Sequence, residues 1–167
     1  DLKPQPLCED SGLALLKTHY YGGIKKYQWT AIPLEMEGVA ITKDGKTVDL
    51  SDNSFTFCIS DLLPHLAREQ ADKTISKAIE GENLRIICGS IPCQEAETDK
   101  IKYNVLKILN EKYGITERDL ISAEISFVPK FKAESLGFDK SVIGAYGHDD
   151  RICAWTAFEA LMQAKES

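Results

Sequence analysis

The chain has 167 residues and a mass of 18.6 kDa, which suffices for one domain of ordinary size, or one domain with a small appendage, around a buried core. With 43% hydrophobic and 28% charged residues, its composition is that of a folded globular protein and excludes general disorder. The formal net charge of −6 argues against a nucleic-acid-binding protein, since such proteins carry basic surfaces that neutralise phosphates.

Membrane and secretion signals are lacking in the sequence. No apolar run approaches the roughly 20 residues of a membrane-spanning helix, and no signal-peptide pattern opens the chain. The five cysteines form no CxxC pair, and this odd, scattered set is typical of reduced thiols in an intracellular protein. We therefore expect a cytoplasmic protein that binds neither membranes nor nucleic acids.

The first third of the chain is predicted to be β structure. The apolar run LALLKTHYYGG ends at Gly22 and Gly23, where the backbone can turn freely or another group can approach closely. Gly38 interrupts a partly alternating segment and indicates a bulge. The stretch KDGK is typical of a hairpin turn that needs positive φ. Strands are predicted at 32–42, 47–50 and 55–59.

From Asp61 the apolar period becomes helical. Leu62, Leu66, Ile75 and Ile79 predict a helix that is irregular near Pro64 and stops at Gly81. A buried strand is predicted next, then a helix capped by Thr98 and ending at Gly114, then a strand over 120–128. The expected fold class is α+β, with a β-rich sheet or partial barrel flanked by two to three helices.

The stretch AYGHDDRICAWTAFEALM, residues 145–162, places two aspartates before an amphipathic helix. Asp149 and Asp150 suit the N-cap, because carboxylates accept hydrogen bonds from the free amides of the first turn. A metal-ligand role is the alternative, and the residues alone leave both open. The helix has an apolar stripe at Ile152, Trp155, Phe158 and Met162.

Three histidines are few for a complete metal site, because a catalytic zinc takes three protein ligands and a two-metal centre takes more. His65 follows Pro64 and is either a junction residue bonded to the backbone or a functional group. His19 precedes the paired glycines and is either a strand residue facing water or part of a substrate cleft together with Gly22 and Gly23. Neither a nucleophile elbow nor a phosphate-binding glycine loop is present.

Six stretches occur in an order that resembles one protein family nearly from end to end. They are DLKPQPL, LLKTHYYGGIKKYQW, IPLEMEGVAITKDG, DLLPHLAREQ, GSIP and AYGHDDRICAWTAFEAL. Together they resemble a central segment of the aspartyl aminopeptidase and vacuolar aminopeptidase I family of dinuclear metalloaminopeptidases, in its bacterial branch. The last stretch and the YYGGI…W motif are the most specific.

The resemblance implies a subunit with two domains, whose substrates are peptides. A catalytic α/β domain would hold two divalent ions, with zinc expected first and manganese or cobalt as alternatives. An inserted domain would build dimers within a tetrahedral oligomer. Residues 1–143 match the inserted dimerisation and active-site-covering domain, and residues 144–167 match a short part of the catalytic domain.

The resemblance also assigns individual residues. Asp149 matches the carboxylate that bridges both metals, whereas Asp150 falls where relatives vary between Asp and Asn. His65 would act toward a neighbouring subunit's active site, polarising the substrate or stabilising the transition state. Animal relatives carry a second histidine four residues later, where this chain has Glu69.

Other parts of the family's active site have no counterpart in this sequence. The paired glutamates, one of them the general base, are missing, as are the first and last histidine ligands. We therefore expect the isolated chain to be inactive and to hold no metal tightly, with assembly and substrate enclosure as its own roles. The alternative reading is a stand-alone regulatory or peptide-binding module of similar fold.

Overall fold

The computed structural model describes residues 1–164, without the side chain of residue 5, and within that range it contains eight strands and five helices. The strands are β1 (Leu2–Asp10), β2 (Leu13–Tyr20), β3 (Leu34–Ile41), β4 (Thr47–Asp49), β5 (Arg85–Gly89), β6 (Glu124–Pro129), β7 (Glu134–Leu136) and β8 (Val142–Gly144). The helices are α1 (Arg68–Ala71), α2 (Ile75–Ala78), α3 (Lys100–Tyr113), α4 (Glu117–Ile121) and α5 (His148–Gln163).

Six strands form an antiparallel sheet in the order β4-β3-β6-β1-β2-β5. Backbone bridges through residues 57 and 58 connect β3, the second strand in this order, with β5, the last one. Phe57 exchanges amide bonds of 2.9 and 2.8 Å with Leu34 on β3, and the Ile87 amide on β5 donates to the Cys58 carbonyl at 3.0 Å. The sheet therefore closes into a small barrel through the segment 57–58, and the predicted α+β class is confirmed.

Apolar side chains fill this barrel. Phe127 on β6 is fully buried and meets Phe57 edge-to-face, with ring centroids 5.0 Å apart. Edge-to-face pairs add to the free energy gained by burying the rings themselves. The other fully buried large side chains are Leu2, Leu34, Leu50, Ile59, Leu84, Ile86 and Ile115.

Helix α3 begins differently from its prediction. Asp99, not Thr98, is the N-cap residue; it has a left-handed backbone and its side chain makes no capping bond. The cap comes from β1, where the Glu9 carboxylate accepts hydrogen bonds from the amides of Ile101 and Lys102 at 2.8 and 3.0 Å. The predicted end is confirmed, with Gly114 at φ +70° closing the helix.

The long helix predicted after Asp61 is wrong. Only the single turns α1 and α2 form, and Leu62, Leu66 and Ile75 are exposed. Their spacing of three and four fits a helix, but the exposed side chains gain no burial that would stabilise one. Pro64 also lacks the amide hydrogen that a helix would need at that position.

The sequence did not predict β1, α4 or the β7–β8 hairpin. Strand β1 carries Pro4 and Pro6, which usually break strands, but it pairs with β6 only at Leu2 and so needs few amides on that side. Helix α4 replaces the first residues of the strand predicted over 120–128, and it begins with a capping box between Thr116 and Asp119. The strand predicted over 55–59 is reduced to its two barrel-closing bridges.

The contacts divide the chain into two compact units, residues 1–130 and 131–167. The second unit contains the β7–β8 hairpin and α5, as far as residue 164. The proposed boundary between residues 143 and 144 concerns the domains of a longer protein and stays a prediction. Among residues 1–164, none of the helices combines the length and the apolar character needed to cross a bilayer.

Gly38 does not form the predicted bulge, because the pairing of β3 with β6 continues through Gly38 opposite Ile125 without a shift. It is required by close backbone approach instead. At its φ of +151°, an added Cβ would lie 2.1 Å from the Glu124 carbonyl oxygen and 2.9 Å from Ile125 Cα. Backbone atoms of the neighbouring strand cannot move away without breaking the ladder.

Gly38→Ala should therefore lower the free energy of unfolding by about 2–3 kcal/mol, measured by chemical denaturation. The matched control is Gly23→Ala, where an added Cβ has no heavy atom within 4 Å and φ is not positive. That variant should stay within about 0.5 kcal/mol of the parent. Equal stability of the two variants would contradict the close approach.

Candidate functional site

His65 lies in a loop on the surface of the first unit. We call residues 62–67 the His65 loop; it connects Asp61 to α1. The loop is shaped by two local turns, in which the Leu66 amide donates to the Leu63 carbonyl at 2.8 Å and the Ala67 amide to the Pro64 carbonyl at 3.3 Å. None of its side chains is buried, and His65 itself is exposed.

One carboxylate ties both ends of this loop together. Asp61 Oδ1 accepts hydrogen bonds from the Leu62 amide at 2.8 Å and from Gln70 Nε2 at 3.1 Å. Its Oδ2 accepts from the Thr30 hydroxyl at 3.1 Å, and Thr30 is buried, with 8% of its surface exposed. The loop is thus connected through Asp61 to the barrel.

The electrostatics of Asp61 fit this role. Partial burial pushes the pKa of its carboxyl upward, but the hydrogen bonds from Gln70, the Leu62 amide and Thr30 together outweigh that effect and hold the pKa below its usual value. The group is therefore ionised at neutral pH and acts as an acceptor only. It also borders a groove of about 660 Å³ lined in addition by Leu62, Leu66, Arg68 and Glu69.

His19 lies near the end of β2, opposite Lys3 on β1. It lines two open grooves of the first unit. One, of about 550 Å³, includes Asp1, Lys3, Tyr21 and Glu124. The other, of about 610 Å³, is mainly basic, with Lys17, Lys26, Arg85 and Glu82.

Gly22 and Gly23 follow β2 in open space. Gly22 has φ +78°, and a Cβ built on either glycine meets no heavy atom within 4 Å. Neither glycine nor His65 lines a described groove together with His19. The grooves described for the first unit therefore do not bring the predicted cleft residues together with the predicted catalytic histidine.

Asp149 belongs to the second unit, at the start of α5. Its φ of −87° and ψ of 112° are not helical, and the residue before the helix, Gly147, provides no side-chain cap. Within residues 131–164, the carboxylates of Asp149 and Asp150 make no hydrogen bond or ion pair. The capping interpretation is therefore wrong for this helix, and the Asp149 carboxylate is open to an external ligand.

The described residues do not assemble a metal centre. In residues 1–164, no group of three or more His, Cys, Asp or Glu side chains is arranged to hold a metal ion. An exposed carboxylate such as Asp149 can supply one oxygen ligand, whereas a two-metal site needs several ligands from more than one side chain. The chemistry of Asp149 is that of a possible metal ligand, and its role in a metal site stays a prediction.

Sequence reasoning missed Asp61 and Thr30. Their side chains are 31 positions apart and meet only because the barrel brings the two segments together. An Asp that follows a short strand and precedes Pro and His is a weak local signal. In the stretch DLLPHLAREQ the histidine is the residue that suggests function, while the first residue, Asp61, provides the anchor.

Comparison with known protein families gives one consistent result. The family model for aminopeptidase I zinc metalloproteases, M18, matches residues 1–167. A Clostridium acetobutylicum protein named as a probable M18 family aminopeptidase is 54% identical over all of this chain, and a Thermotoga maritima protein of the same name is 54% identical over 98% of it. The chain therefore belongs to the M18 family of zinc metalloproteases.

Solved structures agree with this assignment. The crystal structure of an M18 aminopeptidase from Thermotoga maritima matches 99% of this chain with a TM-score of 0.90 and 52% identity. That of aminopeptidase I from Clostridium acetobutylicum matches all of the chain with a TM-score of 0.86 and 49% identity. The chain spans 37% of the length of the curated relatives it matches, and 37% and 38% of these two structures.

Proposed function

We propose that this chain is the central part of a dinuclear-metal aminopeptidase that removes N-terminal residues from peptides in the cytoplasm. The observation that carries the proposal is the M18 match over residues 1–167, with relatives that share about half of its residues. Those relatives are more than twice as long, so the activity belongs to a longer protein. The isolated chain would assemble and enclose substrate without hydrolysing it.

Residues 1–143 would form the inserted dimerisation domain, and residues 144–167 would begin the catalytic domain. Exposed apolar side chains on the first unit support an interaction surface, because a cluster of them indicates a contact with another protein. Leu62, Leu63 and Leu66 of the His65 loop are each more than half exposed, as is Ile75 at the start of α2. A second copy of the protein would cover this surface, within a larger tetrahedral oligomer.

Asp149 would bridge two divalent ions, zinc by preference, in the complete enzyme. The zinc metalloprotease name of the family supports this choice of metal. When bound, such ions lower the pKa of a coordinated water and so make it a nucleophile at neutral pH. Asp149 contributes an unpaired carboxylate whose charge offsets part of the repulsion between two cations.

His65 would act at the active site of a neighbouring subunit. His65 is exposed on a loop whose apolar side chains are also exposed, and this supports a contact between the loop and a neighbouring subunit. An imidazole there could donate a hydrogen bond to the substrate carbonyl as negative charge develops on its oxygen. His19, Gly22 and Gly23 remain proposed for the substrate cleft.

Asp149→Asn in the full-length protein should lower both the bound metal and the rate of peptide hydrolysis. An amide keeps the shape of the side chain but loses the charge needed to bridge two cations. Metal content is measured by elemental analysis of the purified protein, and a loss of at least about tenfold in turnover is expected. The control is Asp150→Asn, which should keep both metal and activity, and the opposite ranking of these neighbours would overturn the assignment.

His65→Phe in the same protein should lower kcat by about 10²- to 10³-fold, the usual loss when one donor to a developing oxyanion is removed. The ring keeps the size of the side chain and removes both nitrogens. Steady-state kinetics on a short peptide measures the change, with Glu69→Gln as the comparison on the same segment. If only Glu69→Gln slowed turnover, the role would move away from His65.

A further inference from the structure

We infer that Asp61 is a positioning residue: it holds the His65 loop in one orientation on the barrel, and turnover depends on that orientation. The inference rests on the proposed function of His65 and adds a residue that acts through it. Asp61 would act through the loop that it holds, so the inference does not require it to contact the reacting atoms.

The loop has little else to fix it. No side chain between residues 61 and 70 is buried, so hydrophobic packing within the first unit does not hold it. Its two turns are local and set only its internal shape. Loops with exposed side chains and few packing contacts open readily, so a polar anchor to a rigid element determines where such a loop points.

Asp61 makes that connection at a well-defined place. The barrel-closing segment, residues 57–59, pairs with the segment that follows Trp29. Phe57 pairs with Leu34, and the Ala31 amide donates a hydrogen bond to the Ile59 carbonyl at 2.8 Å. The hydrogen bond from the Thr30 hydroxyl to the Asp61 carboxylate lies next to these backbone bonds and joins the same two segments through side chains. The first residues of the loop thus leave the barrel in a direction set by these bonds.

The same carboxylate also fixes the far end of the loop. Gln70 lies nine residues after Asp61, within α1, and donates to the oxygen that the Leu62 amide also reaches. A loop closed at both ends on one charged acceptor has fewer accessible conformations than one held at a single end. His65, between the two ends, would therefore be presented at a constant position to the neighbouring subunit.

The experiment measures kcat and KM of the full-length enzyme for Asp61→Ala, His65→Phe and the double variant. Asp61→Ala should lower kcat by about 10- to 100-fold, the size of effect expected when a catalytic group is displaced by about 1 Å. The double variant should be no slower than His65→Phe alone, because Asp61 acts only through that histidine. Asp72→Ala, an exposed carboxylate just after α1, is the matched control and should leave kcat unchanged.

A second pair of variants tests the anchor from the barrel side. Thr30→Val keeps the shape of the buried side chain and removes the hydroxyl, so it should lower kcat in the direction of Asp61→Ala. Thr30→Ser keeps the hydroxyl and should restore turnover. Light scattering on each variant verifies that the assembly is intact, which separates a misplaced loop from a failure to fold.

Three results would overturn the inference, and they are distinguishable. If His65→Phe slows turnover but Asp61→Ala and Thr30→Val behave like Asp72→Ala, the histidine works without this anchor. The same conclusion follows if the losses of Asp61→Ala and His65→Phe multiply in the double variant. If His65→Phe leaves kcat unchanged, the proposed role of the histidine fails and the role of Asp61 fails with it.

Discussion

Closure of the barrel by residues 57–59 is the constraint on which the rest of the first unit depends. Three short backbone contacts, at Phe57, Cys58 and Ile59, join segments that are distant in sequence. They place Phe57 against Phe127 in the core and bring the exposed Asp61 to the buried Thr30. A segment too short to count as a regular strand thus determines both the packing of the barrel and the position of the His65 loop.

The sequence predicted the parts of the fold whose signals are local. The KDGK hairpin, the end of α3 at Gly114 and the buried strand after Leu84 depend on turn chemistry or a short apolar run, and the structure has all three. The errors came from residues whose partners are far away in the chain. Glu9 caps α3 from another element, and the apolar spacing around Leu62 and Leu66 imitates a helix although both residues are exposed.

Only the residues of the candidate site that lie in recognisable motifs could be predicted from the sequence. Asp149 and His65 stand out because of their neighbours in the chain, and family membership supports the reading of those motifs. Residue patterns could not decide between capping and ligation for Asp149; among the described residues its carboxylate makes no capping hydrogen bond, which argues against capping. Asp61 could not be found in this way, because its role depends on a hydroxyl that is adjacent only in the folded barrel.

The two units contribute different things to the proposed enzyme. The barrel encloses the hydrophobic core and carries the exposed His65 loop, while the second unit contains the exposed carboxylate of Asp149 and a helix with its apolar stripe exposed. The described core residues all belong to the first unit. In the proposed enzyme a second copy covers the exposed leucines of the His65 loop, which makes self-association the central claim.

The most direct test is the solution mass of this chain, measured by light scattering over a series of concentrations. The account predicts a dimer, with a mass of twice 18.6 kDa that persists on dilution into the micromolar range. A mass of 18.6 kDa at every concentration would contradict it. The exposed loop would then not be an interface built into this part of the protein.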